Sequence, residues 1–185
     1  MRRFPVYVCV VFVLSLLVYG CGGSGSSNST ASGTTVLITG TTKAGSSVST
    51  TSAYDGTTFS AATASFTLSS EVFSGAAHPS SVTVTSIDVS YTPEEYDATN
   101  HLMSPAIGTV YHRAIGGVIP PGGTLDLTDI MIFTSVVGAQ NNAAITGLLD
   151  GLTILPYQAT ITFNMVEDDS NTPMTCTTNV ELFLQ

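Results

Sequence analysis

Tryptophan is absent from the 185 residues, there are three cysteines, and only four residues are lysine or arginine. Each shortage removes something. Without tryptophan, the aromatic platform on which sandwich carbohydrate modules stack sugars would have to be built from tyrosine. Two of the four cations, Arg2 and Arg3, lie in the first three residues. Beyond them only Lys43 and Arg113 stand against thirteen acids, a formal charge of −11 for everything after the leader. Such a surface repels phosphate backbones and anionic headgroups, which excludes nucleic acid as a partner and electrostatic docking to a membrane. No apolar run reaches the ~20 residues that a bilayer-spanning helix needs. The longest, Val6 to Tyr19, is fourteen. Catalytic signatures are missing too: there is no GxSxG elbow, no HExxH and no CxxC.

What is present begins with that short apolar run. Arginines, a hydrophobic stretch and a small residue before Cys21 make a secretory signal over residues 1–20. Leu17-Val18-Tyr19-Gly20-Cys21 resembles the lipobox of bacterial lipoproteins. The resemblance implies cleavage before Cys21 and acylation of its thiol, so the membrane partner is reached through a lipid anchor. Each buried methylene contributes about 0.8 kcal/mol, and two chains already hold a protein stably. Lipoproteins of this kind carry three. Gly22, where an aspartate would favour inner-membrane retention, implies the outer membrane. Residues 21–34 form the acylated cysteine and a Gly/Ser/Thr tether without apolar periodicity. Cys9 leaves with the signal and Cys21 is spent on lipid, so Cys176 has no partner for an internal disulfide.

Residues 35–185 are expected to form one all-β domain. Phe66, Leu68 and Val72 share a parity; Val82 and Val84 alternate with threonines; Ile87, Val89 and Tyr91 take up the other parity. A one-residue change of phase inside a strand predicts a bulge, here at Thr85–Ser86. The same slip separates Leu125 and Leu127 from Ile130 and Ile132. Ala159, Ile161, Phe163 and Met165 alternate with polar residues, and Cys176, Val180, Leu182 and Leu184 line a last strand. Glu167 to Pro173 supplies the hairpin connection between these two. Ala143, Ala144, Ile145, Leu148, Leu149 and Leu152 recur at three and four, which predicts one short helix over 143–152 despite Gly147 and Gly151. Seven or eight strands with turns between them predict an antiparallel β-sandwich.

Three strings carry a further resemblance. Ile87-Asp88-Val89-Ser90-Tyr91-Thr92-Pro93 is similar to an early strand of bacterial Ig-like or fibronectin-III-like envelope domains. Ile119-Pro120-Pro121-Gly122-Gly123-Thr124 resembles the loop leading to a middle strand, and Tyr157 to Phe163 the late strand of the closing pair. Together they cover roughly residues 80–185 and imply an Ig-like sandwich. The antibody-type cysteine pair and core tryptophan are missing.

For chemistry, the acidic clusters are the candidate ligand site. Glu94, Glu95 and Asp97 lie close together, and Glu167, Asp168 and Asp169 are consecutive. Calcium takes six to eight oxygens at flexible geometry, so carboxylates crowded into a sandwich loop could bind it as the one conceivable cofactor. Neither cluster has the spacing of a dedicated calcium loop, and acids are ordinary in soluble turns. His78, His101 and His112 read as solvated or hydrogen-bonded rather than catalytic. Cys176 shares parity with core residues, where a thiol behaves as a small hydrophobe. Tyr54 and Tyr96, expected in loops, could contact a ligand. The sequence therefore favours a non-catalytic, lipid-anchored cell-envelope protein with a structural or protein-interaction role. A calcium- or glycan-binding module using end loops is the alternative, and a secreted hydrolase ranks last.

Overall fold

The computed structural model describes residues 34–140, 142–149 and 153–185. The expected signal over residues 1–20, Cys21 and the expected tether up to residue 33 lie outside the described residues, as do 150–152 at the end of the expected helix.

Ten strands and two helices follow in the order β1 (Val36–Thr42), β2 (Ser49–Ser52), β3 (Ala62–Val72), β4 (Val82–Pro93), β5 (Glu95–Asp97), β6 (Leu102–Met103), β7 (Tyr111–Ile119), β8 (Thr124–Phe133), α1 (Ser135–Gln140), α2 (Asn142–Leu149), β9 (Leu155–Glu167) and β10 (Thr172–Leu184). Eight strands build an all-β sandwich. One sheet has the order β1-β3-β8 and the other β2-β10-β9-β4-β7. All pairings within the two sheets are antiparallel except β2 on β10.

The period of two decides which faces meet. In β9, every second residue from Leu155 to Glu167 is buried, and in β10 every second residue from Met174 to Leu184. Phe66 of the smaller sheet meets Phe163 of the larger edge to face, at 5.3 Å between ring centres. Tyr91 does the same with Phe133 at 5.8 Å, and its hydroxyl donates to the Ile132 carbonyl at 2.6 Å, which joins the sheets with a polar link. Fully buried side chains of this size stabilise by ~1.5–3 kcal/mol each. β1 runs close over β10 at Gly40, where an added Cβ would come within 3.0 Å of both the Cys176 sulfur and Leu68. Cys176 is fully buried, and burial pushes its thiol up to about 11.

Both changes of phase are bulges. β4 shifts register between Val84 and Ser86 against both of its neighbours. β8 shifts against β3 between Ile130 and Leu127, with Asp129 at φ 52 and its N–H bonded to the Ser65 hydroxyl. A strand that must keep apolar residues inward across a bend does so by inserting one residue.

Three expectations need correction. The helical segment is two helices, beginning earlier at Ser135, with the Thr134 hydroxyl accepting from the Val137 N–H at the start. Val137, Ile145 and Leu149 are buried, while Ala143 and Ala144, counted as part of the apolar stripe, are exposed. The end loop expected to carry Glu94, Glu95 and Asp97 is not a plain loop, because β5 and β6 pair as a small antiparallel ribbon. Tyr54 and Tyr96 are also less free than expected. Both are half-buried against the core, and Tyr54 packs on Phe59 at 4.8 Å.

Candidate functional site

The acidic hairpin is where the structure concentrates polar chemistry. Glu167 occupies the last inward position of β9, beyond Met165, where the apolar core ends. Its carboxylate has no solvent-exposed surface. A buried charge of this kind persists only with donors around it. They come from the start of the domain and from the hairpin itself. Thr35 donates its backbone N–H at 2.7 Å and its hydroxyl at 2.6 Å to Oε1. The Ser170 hydroxyl donates to Oε2 in a short bond. Burial raises the carboxyl's proton affinity, but the bonds from Ser170 and Thr35 outweigh it and hold the group below its ordinary range.

The network extends to the β3–β4 connection. The Ser80 N–H donates to the Thr35 hydroxyl oxygen at 3.1 Å, and the Ser80 hydroxyl accepts from the Asp169 N–H at 3.0 Å. The Asp168 N–H reaches the Ser81 carbonyl, and its carboxylate accepts from the Thr83 hydroxyl at 2.6 Å. The Phe73 N–H bonds the Thr35 carbonyl at 3.1 Å. Thr35, the second of the described residues, is thus held through its N–H, its carbonyl and its hydroxyl.

The second acidic cluster belongs to the β5–β6 ribbon and is wired locally. Asp97 accepts from the Asn100 amide at 2.7 Å and from the Thr99 and Asn100 N–H groups. Its carboxyl is held low by the Asn100 side chain first and those backbone bonds next. Glu95 meets the exposed His101 ring at 2.8 Å. Glu94 contributes its backbone, donating to the Pro156 carbonyl and accepting from the Ser104 N–H. Behind the ribbon, the Tyr157 hydroxyl donates to the Pro105 carbonyl at 2.8 Å.

Neither cluster directs its oxygens to a common point. Among the described residues no group of three or more His, Cys, Asp or Glu side chains could hold a metal ion. Glu167 and Asp168 already have donors from the protein, and Asp97 spends both of its oxygens on its own turn.

A third constellation went unnoticed in the sequence. On the outer face of the larger sheet, the His112 Nδ1 contacts Asp88 Oδ1 at 2.6 Å, and Asn164 donates to Asp88 Oδ2 at 2.7 Å. The same Asn164 amide reaches the Ser86 hydroxyl at 3.1 Å. Histidine, carboxylate and serine therefore share one face, but in the order His–Asp–Asn–Ser. The serine bonds the amide rather than the imidazole, so this hydroxyl has no base positioned to activate it. The Asp88 carboxyl is lowered by His112 first and Asn164 second. Register alone could have revealed the row, since Asp88 pairs with His112 across β4–β7. That register is not readable from one strand at a time. His78 is exposed beside the Ser80 connection. A shallow depression of about 330 Å³ lies between Tyr54, Leu149, Thr153, Ile154 and Gln185.

Compared with protein-family models, with curated proteins and with solved structures, the chain matches none of them.

Proposed function

We propose that this chain is a non-catalytic cell-envelope lipoprotein, anchored through lipid on Cys21 at the outer membrane. Its Ig-like body carries a structural or protein-interaction role. The observation that carries the reading is the clamp on Thr35. A domain held at its N-terminus by an anchor transmits every displacement of the membrane through the residue where the tether joins. Here that residue is fastened at 2.7 and 2.6 Å to a buried carboxylate 132 residues away, which ties the entry point to the closing hairpin.

The strand order supports the Ig-like part. β1, β3 and β8 lie where strands A, B and E of immunoglobulin-type sandwiches lie, and β10, β9, β4 and β7 follow as G, F, C and C′. Tyr157 starts the F-like strand with its hydroxyl on a backbone carbonyl, although its acceptor, Pro105, is much farther upstream than in a tyrosine corner.

Mass spectrometry of the native protein tests the anchor. The expected product begins at Cys21 and carries acyl mass on it, and Cys21→Ala moves the protein out of the membrane fraction. An unmodified Cys21, or residues 1–20 still attached, would overturn the reading.

A further inference from the structure

We propose that the N-terminal half of the β7 edge, Val110–Ala114, receives an extended, acid-bearing segment of another protein as an added strand, with Arg113 pairing the incoming carboxylate. The inference rests on the protein-interaction reading above and names its surface. Among the described residues β7 closes the larger sheet and pairs only with β4, so its outward N–H and C=O groups form an open ladder there. Sheet edges are commonly blunted by brevity, bulges or charge. β2, at the opposite edge of the same sheet, is four residues long. β8, an edge of the smaller sheet, has two register breaks and carries Asp126 and Asp129. β1, the other edge of the smaller sheet, is also free of acid, proline and register breaks but has seven residues and no cation, whereas β7 runs for nine residues with no acid and no proline and carries Arg113.

Its two halves differ. Opposite Thr85, β7 inserts an extra residue at Ile115–Gly116. Beyond it, Gly117 abuts Leu125 of β8 so closely that an added Cβ would lie 2.5 Å from that side chain, which closes the sandwich corner. In the half before the bulge, Tyr111 reaches Met131 of β8 with its hydroxyl at 3.6 Å and Arg113 is half-buried, while His112 and Ala114 are exposed and Val110, which leads into it, is 57% exposed.

Charge selects the occupant. After the leader the chain has two cations and thirteen acids. Lys43 is paired with Asp126 at 2.9 Å. Arg113 holds no ion pair or side-chain hydrogen bond among the described residues, and its neighbour His112 is already engaged by Asp88. An unpaired guanidinium on an open ladder suits a carboxylate, which it can bind through two parallel bonds. A second copy of this chain laid on the same edge would add a second Arg113 and no acid from its own β7 to offset it. The added-strand mode supplies affinity through the backbone and selectivity through alternate side chains.

Two blocked peptides of alternating threonine and valine, one with a central glutamate and one with a central lysine, serve as probes. They are titrated against the full acylated protein in detergent micelles, with hydrogen exchange followed by mass spectrometry. The glutamate peptide is expected to bind roughly tenfold more tightly than the lysine peptide and to slow exchange at 110–114. Arg113→Ala abolishes the preference and Arg113→Glu inverts it. Equal binding of the two peptides, slowed exchange elsewhere, or protection that grows with protein concentration alone would each overturn the proposal. Photo-crosslinking in intact envelopes separates it from the reading beneath. A specific partner captured equally by the parent protein and Arg113→Glu leaves the interaction role standing and removes this edge from it. Failure of the peptides together with no specific partner removes both.

Discussion

The two acid-rich ends of this sandwich look alike in sequence and differ in kind. Glu94, Glu95 and Asp97 sit on a small ribbon whose polar side-chain contacts stay within six residues of one another. Glu167 closes a long inward-facing row and takes its donors from Thr35 and Ser170. A carboxylate on a surface ribbon exchanges water for one neighbour and gains little. A carboxylate with no exposed surface, supplied with three donors, leaves the half-buried Thr35 N–H and hydroxyl without their acceptor if it is removed. The same side-chain chemistry is therefore dispensable at one end and structural at the other.

Substitution gives the largest separation between the ends. Glu167→Ala is expected to cost about 3 kcal/mol, from the half-buried Thr35 donors that lose a charged acceptor. For a domain of this size that lowers Tm by roughly 10 °C. Glu95→Ala should leave Tm within experimental scatter in the same calorimetric run. Equal losses would erase the distinction.

Acid titration sharpens it next. The folded state holds the Glu167 carboxyl below its ordinary value of 4.5, so its contribution is complete above that pH and is lost as pH falls through the lower folded value. The Tm gap between the parent protein and Glu167→Gln should accordingly be widest at neutral pH and narrow below about pH 4.5. A gap that widened on acidification would contradict the clamp.

Thr35→Val removes one of the three donors and leaves the backbone bond, so about 1–2 kcal/mol is expected by urea unfolding. At the opposite end, Tyr157→Phe loses the bond to the Pro105 carbonyl and should cost about 1 kcal/mol. The order Thr35→Val above Tyr157→Phe tests whether charge on the acceptor matters. The smallest effect concerns metal. Chelation with EDTA, or added calcium, should leave Tm unmoved, and a rise with calcium that disappears in Glu167→Gln would restore a metal role to the hairpin.

Much of the architecture was legible because it is local. The shift from Val84 to Ile87, and from Leu127 to Ile130, each announced a bulge, since a strand cannot change its inward parity without one. The burial of Cys176 and the β9–β10 hairpin followed from the same alternation. The helices were read less well. Ser135–Gln140 lacks a clean stripe, and only Ile145 and Leu149 of the expected apolar set in α2 are buried. The β5–β6 ribbon has too few residues for periodicity to register.

Of the six acids singled out, sequence supplied position along the chain but not environment. Glu167 shares parity with Met165, which hinted at an inward carboxylate; nothing nearby announced Thr35 as its donor. Likewise Asp88, His112, Asn164 and Ser86 form a row only once three strands are laid in register.

Alternation, bulges and turns were determined by the chain alone, because each depends on sterics and solvation within a few residues. Which acid became a buried anchor, and which cation was left unpaired on an open edge, was decided only when distant strands met. A carboxylate's fate depends on who donates to it, and here the principal donor lies 132 residues away.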